Sequence, residues 1–182
     1  YGIDFELDTL NICSKKLEQT CENENIKCLF ITNLLGFSSD LDKIETYCSL
    51  NNIILLEDNC ESLGSVLKGK KLGNFGLAST TSFFVGHHLS TIEGGSVLTN
   101  DKELQDMLMI NRAHGWSRNI DSNLQTELLK KHKVDIFYNK YSFYELGYNL
   151  RPTEVSAAIG HNQFKRMNKL IKIRGVNRNK II

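Results

Sequence analysis

Short apolar runs alternate with stretches of helical periodicity along this chain, and that alternation is what a parallel β-sheet with crossover helices leaves in a sequence. The strand candidates are residues 28–33, 53–56, 78–84 and 96–99. Between the first two, Ser39-Asp40 precedes Leu41, Ile44, Tyr47 and Leu50 at helical spacing, which predicts a capped helix. Asn100-Asp101 opens another helix, with Leu104, Met107, Leu108 and Asn111 on one side and Gly115 as its stop. Pro152 stands where a helix can begin, and Val155, Ile159, Phe164 and Leu170 carry that helix to about residue 172. Residues 124–144 mix charge with aromatics and predict an irregular or mobile connection. The expected fold class is α/β.

Composition narrows the function classes. No apolar run approaches the ~20 residues that a membrane helix needs, so no membrane partner is expected. A net charge of +1 gives no electrostatic mandate for nucleic acid. The basic residues after Glu154 (Lys165, Arg166, Lys169, Lys172, Arg174, Arg178, Lys180) read as a solvated helix face, because no aromatic platform interleaves them. The five cysteines, Cys13, Cys21, Cys28, Cys48 and Cys60, include no C-x-x-C pair and follow no secretory signal. They read as reduced thiols of a cytoplasmic protein, and neither they nor the five histidines supply a metal-ligand pair, so no metal is expected. A start at Tyr1 rather than Met, and a helical pattern still running at Ile182, raise the expectation of a piece of a longer protein.

Ligands of an open α/β sheet bind beyond the carboxyl ends of the strands, so those positions are where chemistry is sought. Three places stand out. Glu57-Asp58-Asn59-Cys60-Glu61 puts a carboxylate cluster at the end of one strand. Val85-Gly86-His87-His88 follows another, with Glu93-Gly94-Gly95 beyond it. Arg112-Ala113-His114-Gly115-Trp116-Ser117-Arg118 is rich in groups that hold anions. Taken singly, each also fits a bland role: helix-capping acids, a surface turn, a packing loop.

Four ordered motifs together carry a resemblance: E-D-N-C-E-S-L-G (57–64), S-F-F-V-G-H-H-L-S-T-I-E-G-G (82–95), R-A-H-G-W-S-R (112–118) and G-Y-N-L-R-P-T-E-V-S-A-A-I-G (147–160). They resemble the DegT/DnrJ/EryC1/StrS group, the fold-type I, pyridoxal-phosphate-dependent sugar aminotransferases and their dehydratase relatives. The resemblance implies that residues 1–150 are the later part of a large cofactor-binding domain, a mainly parallel sheet flanked by helices. Residues 151–182 would lead into a truncated small domain. The glycine-containing turn that helps hold the cofactor phosphate in the family would precede Tyr1.

In the aminotransferases of this group a Lys stands five positions after the Ser of Ser-Phe and forms the Schiff base. Here that position is His87, and no Lys occurs between Ser82 and Gly95. An imidazole cannot make that stable imine, but with an unperturbed pKa near 6.5 it moves protons at neutral pH. The exchange resembles the sugar 3-dehydratase branch. Its iron–sulfur kind has cysteines just after the position of Arg118, and this chain has no Cys after Cys60, so no iron–sulfur cluster is expected. The likeness falls to the metal-free kind, the GDP-4-keto-6-deoxymannose 3-dehydratases.

That likeness implies pyridoxal or pyridoxamine 5′-phosphate as cofactor, a nucleotide-sugar substrate, glutamate as amino donor, and a homodimer with shared active sites. It implies His87 as the catalytic acid–base. Asp58 would pair with the pyridine nitrogen, and Glu61, where most relatives carry a neutral side chain, would stand near the ring hydroxyl. Ser82 would donate to the phosphate, joined by Asn149 from the neighbouring subunit. His114, Arg118 and, across the dimer, Arg151 would face the substrate, and His88 is a structural or supporting residue. The alternatives are a nucleotide-sugar 4-aminotransferase without the Lys, and a non-catalytic family member.

Overall fold

The computed structural model of the chain describes residues 1–181, so Ile182, the last residue of the expected helical run, lies outside the described residues. The elements are α1 (Ser14–Asn23), β1 (Cys28–Thr32), α2 (Leu41–Leu50), β2 (Ile54–Asp58), the short β3 (Val66–Leu67) and β4 (Lys70–Lys71), β5 (Ala78–Ser82), β6 (Gly95–Thr99), α3 (Lys102–Asn111), α4 (Ser122–His132), α5 (Glu154–Phe164) and α6 (Met167–Ile181). Strands β1, β2, β5 and β6 form one sheet in that order, while β3 and β4 make a separate antiparallel ribbon. The β1–β2 and β2–β5 pairs are parallel, as the alternation with helices requires.

Packing divides the chain into two compact units, residues 1–98 with the helices from Glu154 onward, and Thr99–Thr153. These units do not coincide with a division at residue 150. In the first, Leu29 and Ile31 of β1 and Leu55 of β2 point to one sheet face, where Leu17 of α1 and Leu41, Ile44 and Cys48 of α2 bury against them. Each such side chain taken out of water adds roughly 1.5–3 kcal/mol before the entropy cost of ordering it. The opposite sheet face carries Phe30, 60% exposed, and Ile54, 48% exposed.

Several sequence expectations need correction. The buried stripe of α2 is Leu41, Ile44 and Cys48, and Leu50 is 78% exposed. Asp40 does stand before α2, but its carboxylate goes elsewhere, accepting from the Ser14 amide at 2.8 Å and the Ser14 hydroxyl at 2.7 Å. It thereby ties the start of α1 to the start of α2. The buried positions of α3 are Asp106 and Ile110 rather than the expected side, although Asp101 caps the helix as expected, accepting from the Leu104 amide at 2.7 Å.

Residues 124–144 are largely helical. Asp121 caps α4 through the Asn123 amide, Lys130, Lys131 and His132 complement the helix dipole at its end, and Lys133 closes it in a left-handed conformation. A 3₁₀ turn follows at Ile136–Tyr141. Leu124, Leu128 and Leu129 recur at helical spacing and are half-buried, but none is fully buried and polar residues crowd the rest of α4, so the stripe is a weak signal. The helix expected from Pro152 is two helices, α5 and α6, separated by a turn at Lys165 and Arg166. Among the described residues no helix is long and apolar enough to cross a membrane, and no group of His, Cys, Asp and Glu is placed to hold a metal ion.

Candidate active site

Strand alternation sorts the carboxylate cluster. Successive β2 residues point to opposite faces, so Glu57 turns into the helix-covered core and Asp58 to the other face. Glu57 is fully buried. Its Oε1 accepts from the Phe75 and Gly76 amides at 2.7 and 2.9 Å, and its Oε2 from the Gly73 amide at 2.7 Å and Asn33 Nδ2 at 3.2 Å. Glu57 is therefore a structural anion that ties down the turn after β4.

Asp58 pairs in register with Thr32 and Thr80, at the carboxyl ends of the parallel strands. Its Oδ1 accepts from the Cys60 amide and from the Thr80 hydroxyl, both at 3.0 Å. Burial works against its charge, yet the bonds from Cys60 and Thr80 and the positive charge available at His87 together hold the carboxyl below its ordinary value. Burial and the neighbouring Asp58 carboxylate conversely push the Cys60 thiol up, which keeps it protonated and donating. Thr80 escaped the sequence reading, although its position two residues before Ser82 on a strand signals the shared face.

Ser82 ends β5 and its Oγ accepts from the Phe84 amide at 3.1 Å. The chain then turns, with the His87 amide donating to the Phe84 carbonyl at 3.0 Å and the imidazole lying edge-on to the Phe84 ring at 5.7 Å. His87 Nδ1 is buried without a hydrogen-bond partner. The loop returns to β6 through a bond from the Phe83 amide to the Gly94 carbonyl, 2.8 Å. Helices back both loops: a Cβ on Gly160 of α5 would press on Thr91, and one on Gly64 would collide with Ile171 of α6.

Glu61 reaches the turn after β1, where its Oε2 accepts from the Leu35 amide at 3.0 Å. His88 is held below its ordinary pKa by burial, by Arg174 of α6 and by His87, with Glu61 acting in the opposite sense. It therefore favours a neutral ring. Arg174 thus acts on the loop after β5 and is not only part of a solvated basic face.

The second unit holds the remaining predicted residues. The amide of His114 donates to the Tyr148 carbonyl at 2.9 Å, that of Tyr148 to Asn111 at 2.7 Å and that of Leu150 to Arg112 at 2.9 Å. Asn149 pairs in the same ladder with Ala113, its residue exposed. His114 and Gly115 both have positive φ, 64° and 86°, which swings Trp116 onto Phe143, the rings stacked at 5.2 Å and 26°. Arg118 and Arg151 place their guanidinium carbons 4.6 and 5.9 Å from the Trp116 ring centroid, and His114 meets the ring edge at 5.4 Å. The structure therefore brings His114, Arg118 and Arg151 together around Trp116, which the sequence reading had not singled out; the signal was an aromatic two residues before an Arg.

Gly115 is required twice over, by its φ and because a Cβ there would run into the Glu145 carbonyl. Replacing it by Ala is expected to cost at least about 2 kcal/mol, read as a lower denaturant midpoint with unchanged slope. An unchanged midpoint would contradict this geometry.

The model of the DegT/DnrJ/EryC1/StrS aminotransferase family matches residues 2–180. The chain is 41% identical over 175 residues to GDP-4-keto-6-deoxy-D-mannose 3-dehydratase of Yersinia pseudotuberculosis, covering 96% of this chain and 44% of that protein. It superposes with TM-score 0.85 and 36% identity on the E. coli GDP-4-keto-6-deoxy-D-mannose 3-dehydratase with bound hydrated PLP, covering 97% of this chain and 45% of that one. A Helicobacter pylori UDP-4-amino-4,6-dideoxy-N-acetyl-β-L-altrosamine transaminase is 32% identical over 144 residues, 79% of this chain and 34% of that protein. The chain thus spans less than half the length of the curated relatives it matches.

Proposed function

The chain belongs to the DegT/DnrJ/EryC1/StrS aminotransferase family, and from that premise we propose that the complete protein removes the C3 hydroxyl of a nucleotide-linked 4-keto-6-deoxyhexose, using pyridoxamine phosphate that glutamate regenerates. The observation that carries the reading is an imidazole at residue 87, with its buried Nδ1 unpartnered, beside a carboxylate held ionised at the strand end. The donor set fits the cofactor: an anion for a pyridinium nitrogen, a hydroxyl at Ser82 for phosphate, and a proton carrier at His87. When bound, the cofactor supplies an electron sink for the carbon that loses a proton.

Asp58 would hold a proton on the pyridine nitrogen of the cofactor, its own position set by Cys60 and Thr80. Ser82 donates to the phosphate, and Asn149 does so from the neighbouring subunit of a homodimer. Glu61, already bonded to the Leu35 amide, would stand near the ring hydroxyl in this assignment. His87 would accept the proton released at the cofactor's C4′ carbon and donate one to the C3 oxygen as it leaves as water. A side chain that must both accept and donate within one turnover is a role that imidazole, as a residue type, fits. In place of the expected action across the dimer, Arg151 stays with His114 and Arg118, because it shares the Trp116 ring with Arg118. The three bind the anionic parts of the substrates, where guanidinium forks match phosphate and carboxylate oxygens. Residues 1–150 belong in this reading to the large domain and 151–182 to the beginning of the small one.

A nucleotide-sugar 4-aminotransferase is the second reading, favoured by the transaminases among the relatives. The two differ in product. The complete protein is incubated with GDP-4-keto-6-deoxymannose, pyridoxal phosphate and glutamate, and the sugar product is weighed by mass spectrometry. Loss of the C3 oxygen with no nitrogen retained is the expected result. A retained amino group establishes the second reading instead, and no product of either kind overturns both for this substrate.

A further inference from the structure

Trp116 is the single tryptophan of this chain, and two cationic side chains converge on it. Both guanidinium carbons lie within the roughly 6 Å over which an aromatic face attracts a cation. Without such a platform, Arg118 and Arg151 repel each other, and each has a long, rotamer-rich stem and an exposed residue surface. The indole offsets that repulsion with the negative face of its ring and narrows the rotamers of both.

The platform itself is fixed. Phe143 stacks on it, Trp116 and Phe143 form a backbone bridge, and the Tyr144 amide donates to the Gly115 carbonyl at 2.9 Å. The two left-handed residues just before it set the direction in which the ring leaves the chain. Backbone strain of this kind persists only where surrounding structure holds it, and here it is held by the 111–116 and 143–150 ladder. His114, at the ring edge, adds a third nitrogen-bearing group, and the indole Nε1–H is buried and unpartnered beside them.

We propose that Trp116 is a positioning residue: its indole gathers Arg118, Arg151 and His114 into one preorganised receptor for paired anionic oxygens. The inference rests on the function proposed above for the source of that anion, either the diphosphate of the nucleotide sugar or the carboxylate of the amino donor. A large apolar side chain would serve equally well if Trp116 only filled space. An aromatic face is needed if it organises cations.

Trp116→Leu and Trp116→Phe in the complete protein separate these cases. The Leu variant is expected to raise KM for one anionic substrate about tenfold with kcat within about twofold of the parent, and the Phe variant to recover most of the loss. Measuring KM for the nucleotide sugar and for glutamate separately identifies the source of the anion. Equal damage in both variants, a parental KM in the Leu variant, or a fall confined to kcat overturns the proposal. Calorimetric titration with GDP and with glutamate needs no turnover. Weakened binding of either in the Leu variant, restored by Phe, upholds the positioning role even if the proposed reaction fails. Unchanged binding of both overturns it. Thermal melting of both variants checks that each is folded.

Discussion

His87→Asn in the complete protein is expected to slow C3 dehydration by about 10²- to 10⁴-fold, the range that positioned proton transfer contributes, while cofactor binding followed by absorbance stays intact. Asparagine preserves a polar side chain of similar reach but cannot carry a proton to and fro at neutral pH. The main-chain anchor of the turn survives the change, because it is the residue 87 amide that donates to the Phe84 carbonyl. Loss of the edge-on contact with Phe84 is a minor packing change at a half-buried position. A variant that turns over within about threefold of the parent would remove His87 from the chemistry. The next group along, His88, is a poorer proton acceptor than an unshifted imidazole, since burial and Arg174 lower its pKa.

Strands β1 and β2 were legible because their burial follows the pleat, whereas the two-residue β3 and β4 are too short to leave a pattern. Leu29 and Ile31, then Leu55, alternate with outward residues as period-two patterning demands. Helix α1 left almost no trace: in Ser14–Asn23 only Leu17 and Cys21 are apolar, and Leu17 alone among them is buried. The end of α2 misled for the opposite reason. Leu50 continues an apolar stripe that the structure leaves in solvent, while the less conspicuous Cys48 packs in the core, its thiol pushed up to about 11 by burial and by Cys21 and Cys28. Contacts from elsewhere in the fold decide such cases, and local spacing does not contain them.

Asp58 ends β2, Ser82 ends β5 and His87 lies in the turn that follows, the region where an open sheet presents its chemistry, and the roles assigned to them rest on the family resemblance. Their supports were harder to see. Thr80 and Cys60 matter only through the register that sets Thr80 beside Asp58, and Arg174 acts on His88 from more than eighty residues away in sequence. Trp116 was readable as an aromatic in a basic segment, but its role as a meeting point depends on Arg151, which the ladder between residues 111–116 and 143–150 brings to it.

Glu57→Ala is expected to lower stability by about 3–5 kcal/mol, a large part of the 5–15 kcal/mol that holds a typical domain together. Three backbone amides, of Gly73, Phe75 and Gly76, would be left in a buried site without their acceptor, each costing about 1–3 kcal/mol. No water-exposed retreat is open to that turn, since a Cβ on Gly76 would already collide with the Leu55 carbonyl, and Leu72 and Phe75 are part of the core. Glu57→Gln is a sharper test, because it keeps the volume but turns one acceptor into a donor facing donors. Chemical denaturation of the Gln variant is expected to show a lower midpoint. Activity per folded molecule, measured at a temperature where the variant remains folded, should stay near the parent's. The opposite pair of results, an unchanged midpoint with lost activity, would mean that the carboxylate pointing away from Asp58 takes part in the chemistry. The alternation of a single strand therefore predicts which of two adjacent acids protects the fold and which one is left on the face where the proposed reaction takes place.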